Sequence, residues 1–208
     1  SADLPYPYNT IELLPFDGQS LYSNADAMKA LITKRNVKTV VEVGSWLGAS
    51  TRHIAQTLPI DGKVYAVDHW LGGSDQHPLD YLNVKLPTLY EQFLSNVVHA
   101  GLTDKIIPIR MDSVSASKAL NVFPDLVYID GSHEEQDVYN DIVAWYPFIQ
   151  GHGVICGDDW GWGGDRPIQK AVKRFATENG LSICENGWFW YLQDPSLESN
   201  NPRETRQR

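Results

Sequence analysis

Compact apolar runs alternate along the chain with longer stretches whose apolar residues recur every three or four positions. The runs at 38–44 (KTVVEVG), 63–68 (KVYAVD), 106–110 (IIPIR), 126–130 (LVYID) and 154–158 (VICGD) predict strands. Between them the spacing predicts helices. Residues 23–34 put Met28, Leu31 and Ile32 on one face, and residues 49–58 form the next helix, followed by an Asp61-Gly62 turn. Pro87 opens a helix carrying Leu89, Phe93 and Val97 that Gly101 stops. Residues 134–147 bury Val138, Ile142 and Trp145 or Tyr146, and a last helix from about residue 166 to Asn179-Gly180 buries Ile168, Ala171, Val172 and Phe175. Two closing strands, near 181–185 and 188–193, are joined through Asn186-Gly187, a hairpin signal.

This alternation predicts an α/β fold: a doubly wound, Rossmann-like, seven-stranded and mostly parallel sheet with helices on both faces and an antiparallel C-terminal hairpin. Residues 1–195 are expected to form one domain, with neither repeats nor a low-complexity linker. Residues 69–86 carry Gly72-Gly73 and Pro78 without periodicity, and a connection of that length is expected to be a lid or binding loop. Residues 196–208, with Arg203, Arg206 and Arg208, are expected to be a disordered polar tail. Ligands of such sheets bind beyond the carboxyl ends of the strands, so the chemistry is sought just after residues 44, 68, 110, 130 and 158.

Composition narrows the classes. The 208 residues are 42% apolar with a net charge of −9, enough for one core and without the basic stripe that nucleic-acid binding needs. No apolar run approaches the roughly 20 residues of a membrane span, and the N-terminus lacks the pattern of a signal peptide. The two cysteines, Cys156 and Cys184, have no metal-ligand spacing and are expected to be reduced core thiols in a cytoplasmic protein.

The first strand leads into VVEVGSWLGAST (40–51). Gly44 allows a tight turn after the strand, and Gly48 is expected to let the following helix approach a ligand. Trp46 stands where a dinucleotide fingerprint has its second glycine, which disfavours a pyrophosphate, and no Gly-Lys-Ser/Thr follows to make a P-loop. Asp68, ending the second strand, is placed to accept ribose hydroxyls. These strings resemble the class I S-adenosylmethionine-dependent methyltransferases. EVGSWLGAST is similar to their first motif, VDHWLGGS (67–74) to their second, and RMDSVSA (110–116) to the segment lining the adenine. The resemblance covers about residues 38–193 and implies cofactor-facing roles for Glu42, Gly44, Ser45, Trp46, Gly48, Ser50, Asp68, Met111, Asp112, Ser113 and Asp130. With YIDGSH and GDDW, the chain looks more narrowly like small bacterial enzymes related to catechol-type and macrolide-sugar O-methyltransferases.

Asp130 closes the fourth strand and Asp158-Asp159 the fifth. On neighbouring strands their carboxylates converge, which calls for a cation or protons between them. Oxygen donors without thiolates favour Mg²⁺, Mn²⁺ or Ca²⁺, Mg²⁺ foremost. Catechol-type relatives carry Asp-Asn at the second position, where this chain has Asp158-Asp159. His133, three residues past Asp130, is placed to take a proton from an acceptor hydroxyl, although relatives tend to have Lys at that offset. Asp130-Gly131-Ser132 also reads as a turn, with Ser132 or His133 capping the next helix, and Asp158-Asp159 as a turn before Gly161.

Of seven tryptophans, Trp46, Trp70, Trp160 and Trp162 follow strand ends and are expected to wall the cofactor and an apolar acceptor. Trp145, Trp188 and Trp190 are expected in the core. His53, His69, His77, His99 and His152 show no ligand spacing. The leading expectation is metal-assisted O-methylation of a small molecule, by a chain that is a candidate homo-oligomer. A nicotinamide-dependent oxidoreductase and a non-catalytic cofactor-binding or assembly module stay open, because fold alone does not decide among them.

Overall fold

The computed structural model describes residues 3–72 and 86–198. Seven strands form one sheet: β1 (Thr39–Val43), β2 (Lys63–Asp68), β3 (Ile106–Arg110), β4 (Leu126–Ile129), β5 (Val154–Gly157), β6 (Ser182–Asn186) and β7 (Phe189–Gln193). Their spatial order is β3-β2-β1-β4-β5-β7-β6. The first five are parallel, and β7 pairs antiparallel with both β5 and β6. The order reverses between β1 and β4, and the crevice of such a sheet opens there.

Successive side chains of the central strands go into different layers. Val40, Val64, Ala66, Leu126, Tyr128, Val154 and Cys156 pack with α1 (Ala25–Arg35), α2 (Ala49–Thr57) and α3 (Leu89–His99). Val41, Val43, Val67, Val127, Ile129 and Ile155 pack with α4 (Ser113–Ala119), α5 (Glu135–Ile149) and α6 (Pro167–Asn179). Burial on both faces is why these strands read as continuous apolar runs. Each fully buried Val or Ile contributes about 1.5–3 kcal/mol, so the two layers hold the strand ends in fixed register. A last turn of helix, α7 (Pro195–Glu198), occupies the start of the segment expected to be a disordered tail; the rest of that segment lies outside the described residues, as does most of the expected 69–86 lid.

Two local expectations shift. The hairpin turn is Gly187-Trp188 rather than Asn186-Gly187: Asn186 pairs with Phe189, and Gly187 takes φ +62° as the first of two turn residues. Trp188, expected in the core, is consequently exposed at the turn. Trp145 and Trp190 are buried as expected, and both cysteines are free thiols. Among the described residues no helix is long and apolar enough to cross a membrane.

The polar lead-in before α1 is a strap over the α1–α3 face. Tyr8 Oη donates to Ile106 O across 2.6 Å, and the buried Ser95 and Asn96 side chains of α3 accept from the backbone N–H groups of Leu14 and Asp17. Asn96 Nδ2 also donates to Leu47 O, tying the same helix to the loop after β1. The strap ends with Tyr22 and Asn24 near the carboxyl ends of the central strands, where Asn24 Nδ2 lies 3.4 Å from Tyr128 Oη.

Candidate active site

The loop after β1 is built around glycine. Gly44 has φ +87°, and a Cβ there would lie 2.2 Å from Asp130 O, so the residue is glycine both for its conformation and because β1 and β4 end against each other. Gly48 has φ +88°, and its added Cβ would meet the Phe93 ring at 2.9 Å. The glycine expected to admit a ligand thus makes room for α3. Trp46 takes φ +49° without being glycine, a conformation that costs about 1–2 kcal/mol and needs support.

That support comes from Asp68. Its Oδ2 accepts from Ser45 N (2.9 Å) and Trp46 N (3.0 Å), and its Oδ1 accepts from Trp70 N (2.8 Å). The carboxylate at the end of β2 therefore fastens two loops before it meets any ligand. A carboxylate has about four acceptor positions, so a further one is left for a hydroxyl. Trp70 Nε1 donates to Trp46 O at 2.9 Å while its ring packs on Tyr90 and Phe93. Trp70 is 1% exposed, so it belongs to the core and not to a ligand wall.

Glu42 is completely buried. Oε2 accepts from Ser50 Oγ at 2.6 Å, and Oε1 accepts from Thr51 Oγ1. Burial raises its pKa, and the Ser50, Thr51 and Ser45 hydroxyls pull it back toward the charged form. Ser45 Oγ stands close enough to favour the charge without hydrogen-bond geometry, and is a buried hydroxyl with no partner. An orphaned hydroxyl beside a positive-φ glycine is the kind of group a ligand satisfies.

After β3, Met111, Asp112 and Ser113 begin α4. Asp112 is the N-cap: its carboxylate accepts from Ser115 N at 3.0 Å, and the Ser115 hydroxyl followed by this backbone bond holds its pKa below the usual range. The side chain that resemblance placed at the adenine is thus held by its own helix. Ser113 turns inward and accepts from Trp145 Nε1 at 2.9 Å.

At the other end of the crevice, one oxygen from each of Asp130, Asp158 and Asp159 lies within 4.8 Å of the others. The spacing of adjacent strands brings them together, as the sequence suggested. Burial raises the pKa of Asp130 well above the usual carboxylate range, with Asp158, Asp159 and Glu42 adding repulsion. Asp158 is raised too, first by burial and then by Asp159, while Asn24 and His133 oppose the shift. The turn that presents the pair is fixed by its main chain. Asp158 O accepts from Trp190 Nε1 at 3.0 Å, Trp160 N donates to Trp188 O at 3.1 Å, and Asp159 holds φ +65°.

His133 Nε2 lies 2.9 Å from Asp159 Oδ2, and its ring stacks on Trp162 with centroids 4.2 Å apart and planes 10° from parallel. Neither Ser132 nor His133 caps α5, whose N-cap is Glu134 without a side-chain bond; Ser132 Oγ instead closes a local turn, accepting from Glu134 N at 3.0 Å and donating to Asp137 at 2.9 Å. Trp160 is buried beside this group, whereas Trp162 is 37% exposed.

Sequence reasoning missed four residues here. Thr51 shares the Glu42 carboxylate with Ser50; Asn24 and Tyr22 arrive from the strap; and Asp141 is buried on α5. Tyr22 Oη is 2.9 Å from His53 Nδ1, and its phenol pKa is raised by burial and by Glu42, Cys156, Asp130 and Asp158. An acid between Val138, Ile142 and Trp145 on an apolar helix face was a visible signal for Asp141. Of the histidines not singled out, His69 accepts from Leu71 N, while His99 and His152 bond to Leu14 O and Pro124 O. His77 lies outside the described residues.

Comparison with known proteins adds the family. The pattern of a family described as "Methyltransferase domain" matches residues 41–160, from β1 through Trp160. No curated protein sequence matches the chain. Among solved structures, a Staphylococcus aureus protein provisionally assigned as a caffeoyl-CoA O-methyltransferase is similar with a TM-score of 0.63 at 14% identity, over 88% of this chain and 86% of the other. The O-methyltransferase TomG of Streptomyces achromogenes, involved in tomaymycin synthesis and in complex with SAM, gives 0.60 at 13% identity over 85% and 81%. A Bacillus cereus O-methyltransferase in complex with SAH gives 0.54 at 16% over 92% and 84%. At these identities the likeness is one of fold.

Proposed function

Because the chain belongs to this methyltransferase-domain family, we propose that it transfers a methyl group from S-adenosylmethionine to a hydroxyl of a small molecule, with a divalent cation held by Asp130, Asp158 and Asp159. The observation that carries this reading is the convergence of those three carboxylates beside the His133–Asp159 pair, at the end of the sheet where the Gly44 loop also lies. Similar folds that bind SAM or SAH are consistent with it.

The donor set fits a hard cation. Asp130, Asp158 and Asp159 would supply oxygen donors only, without thiolates, which suits a hard cation such as Mg²⁺. Such an ion would lower the pKa of the acceptor hydroxyl and orient it. S-adenosylmethionine supplies the methyl group on a sulfonium whose departing thioether takes the bonding pair.

The protein's part is positioning and proton removal. Glu42, Ser45 and Ser50 are assigned to the methionine end, and Gly44, Trp46 and Gly48 shape the loop beneath it. Asp68 keeps one acceptor position for the ribose while fastening that loop. Met111 is assigned to the nucleobase side, Asp112 and Ser113 act there through the α4 cap and the bond to Trp145, and Asp130 is assigned a place between cofactor and acceptor. His133 is assigned as the base that takes the acceptor's proton as the new C–O bond forms, with Asp159 aligning its ring. Asp159 then stabilises the imidazolium, and the stacked Trp162 keeps the ring in its plane. Trp162, partly exposed and stacked on His133, offers an aromatic face suited to a phenolic or similarly flat acceptor, whereas Trp160, expected to share that wall, is buried against α6.

The test is transfer of labelled methyl from S-adenosylmethionine to a panel of phenols and sugar hydroxyls, in Mg²⁺ and in EDTA. Transfer that EDTA abolishes and Mg²⁺ restores is expected. Equal transfer in EDTA would remove the cation from the mechanism, and binding of a nicotinamide cofactor in place of S-adenosylmethionine would replace the reading altogether.

A further inference from the structure

The strap before α1 ends in two polar side chains that the mechanism above leaves unused. It is first tied down at α3, where Leu14 N and Asp17 N donate to Ser95 Oγ (3.0 Å) and Asn96 Oδ1 (2.9 Å). Residues 18–21 are then exposed, and the strap meets the molecule again at Tyr22 and Asn24. Asn24 holds the N-cap position of α1, where an asparagine ordinarily caps the helix with its side chain. No such cap forms here. The Asn24 side chain is buried and donates instead to Tyr128 Oη on β4, and Tyr128 stands in register with Glu42 on β1.

Tyr22 reaches α2. Its hydroxyl lies 2.9 Å from His53 Nδ1, and the two ring centroids are 5.5 Å apart. His53 follows Ser50 by one turn of α2, and Ser50 with Thr51 grips the Glu42 carboxylate. Burial first and then Lys29 lower the His53 pKa, with Asp26 opposing, so the ring is neutral at neutral pH. The phenol is held neutral as well, by burial and then by Glu42, Cys156, Asp130 and Asp158. A hydroxyl has one donor and two acceptor positions, and the bond to His53 uses one of the three. The partly exposed Tyr22 therefore keeps a neutral acceptor oxygen within electrostatic reach of carboxylates at both ends of the crevice. That setting suits an ammonium group.

We propose that Tyr22 is a binding residue for the amino-acid end of S-adenosylmethionine, accepting from its ammonium group, and that His53 is the positioning residue that holds it there. Asn24 anchors the same stretch of strap beside β1 through Tyr128. The proposal rests on the S-adenosylmethionine reading above. Strand order assigns the end: Asp68, given to the ribose, is on β2, whereas Tyr128 is on β4, and the two strands lie on opposite sides of β1. Tyr22 thus bears on the amino acid and leaves the nucleoside to Asp68.

The experiment is calorimetric titration of S-adenosylmethionine, S-adenosylhomocysteine and methylthioadenosine, which keeps the nucleoside and lacks the amino acid. The proteins are the parent, Tyr22→Phe, His53→Ala, His53→Gln and the Tyr22→Phe/His53→Ala double variant. Tyr22→Phe and His53→Ala should each bind the first two ligands roughly threefold to tenfold more weakly, with the double variant within about twofold of the weaker single one. His53→Gln, which keeps a hydrogen-bonding group, should recover most of the loss. Methylthioadenosine should bind all five proteins within about twofold, because a role confined to the amino-acid end leaves the nucleoside untouched. An equal loss for all three ligands would make the Tyr22–His53 pair a merely structural contact. Parent-like affinity for S-adenosylmethionine in Tyr22→Phe would remove Tyr22 from the site. Either result overturns the inference and leaves the cofactor reading intact, whereas failure of the parent to bind S-adenosylmethionine would overturn both.

Discussion

The two ends of the crevice use carboxylates in opposite ways. At the loop after β1, Glu42 and Asp68 are met by hydroxyls and backbone N–H groups of the protein itself, five such bonds in all. Beyond β4 and β5, Asp130, Asp158 and Asp159 face one another, and burial with mutual repulsion raises the first two. In the first arrangement the carboxylates are already held by the protein's own donors, which stiffens the loop and leaves the Ser45 hydroxyl and one Asp68 acceptor position for a ligand. The second is complete only with positive charge, supplied by protons or by a cation. Acidic residues at neighbouring strand ends of one sheet are thus scaffold in one place and, on the proposed reading, a cation-binding group in the other, and their hydrogen-bond donors distinguish them.

The largest expected effect is at the repulsive end. Asp130→Asn should lower turnover by about 100-fold, in line with the loss of a metal-orienting group, while leaving S-adenosylmethionine affinity within about twofold. It should also remove the rise in melting temperature that Mg²⁺ gives the parent. Unchanged turnover would mean the two ends do not differ in kind. Asp68→Ala is the counterpart at the self-satisfied end. Three N–H groups lose their acceptor, so denaturant unfolding should show a loss of about 1–3 kcal/mol and cofactor binding should weaken roughly tenfold. A variant that lost affinity but kept parental stability would assign Asp68 to the ligand alone.

Asp141 gives a pH-dependent case. Its folded pKa of about 7 stands above the ordinary 3.8, so the stability it contributes is complete below the ordinary carboxylate range and is lost as pH rises through about 7. Melting curves from pH 5 to pH 8 should therefore fall more steeply for the parent than for Asp141→Asn. The smallest expected effect is Trp162→Ala. Removing the ring stacked on His133 should lower kcat a few-fold, about 1 kcal/mol in the barrier, with little change in cofactor affinity. A larger change in acceptor KM than in kcat would place Trp162 on the acceptor rather than on His133.

Much of the fold could be read from the chain because the strands are buried on both faces and bounded by turn residues, so KTVVEVG and VICGD announce themselves. The convergence of Asp130 with Asp158-Asp159 followed from strand adjacency alone. What stayed hidden depended on long-range partners. Asp68 looked like a free ribose acceptor because nothing local shows that it binds the backbone of residues 45, 46 and 70. Trp70 looked like a ligand wall until α3 closed over it, and Trp188 looked buried because a one-residue shift of the hairpin turn moved it to the tip. The strap has no periodicity to read, yet it brings Asn24 to Tyr128 across 104 positions.

The central claim, that the crevice binds S-adenosylmethionine beside a separate cation site, is tested most directly by calorimetric titration of the purified protein with S-adenosylmethionine in EDTA and again in Mg²⁺. Saturable one-site binding in EDTA, with Mg²⁺ binding independently to the parent and not to Asp130→Asn, is the predicted result. Absence of S-adenosylmethionine binding in both conditions would contradict it.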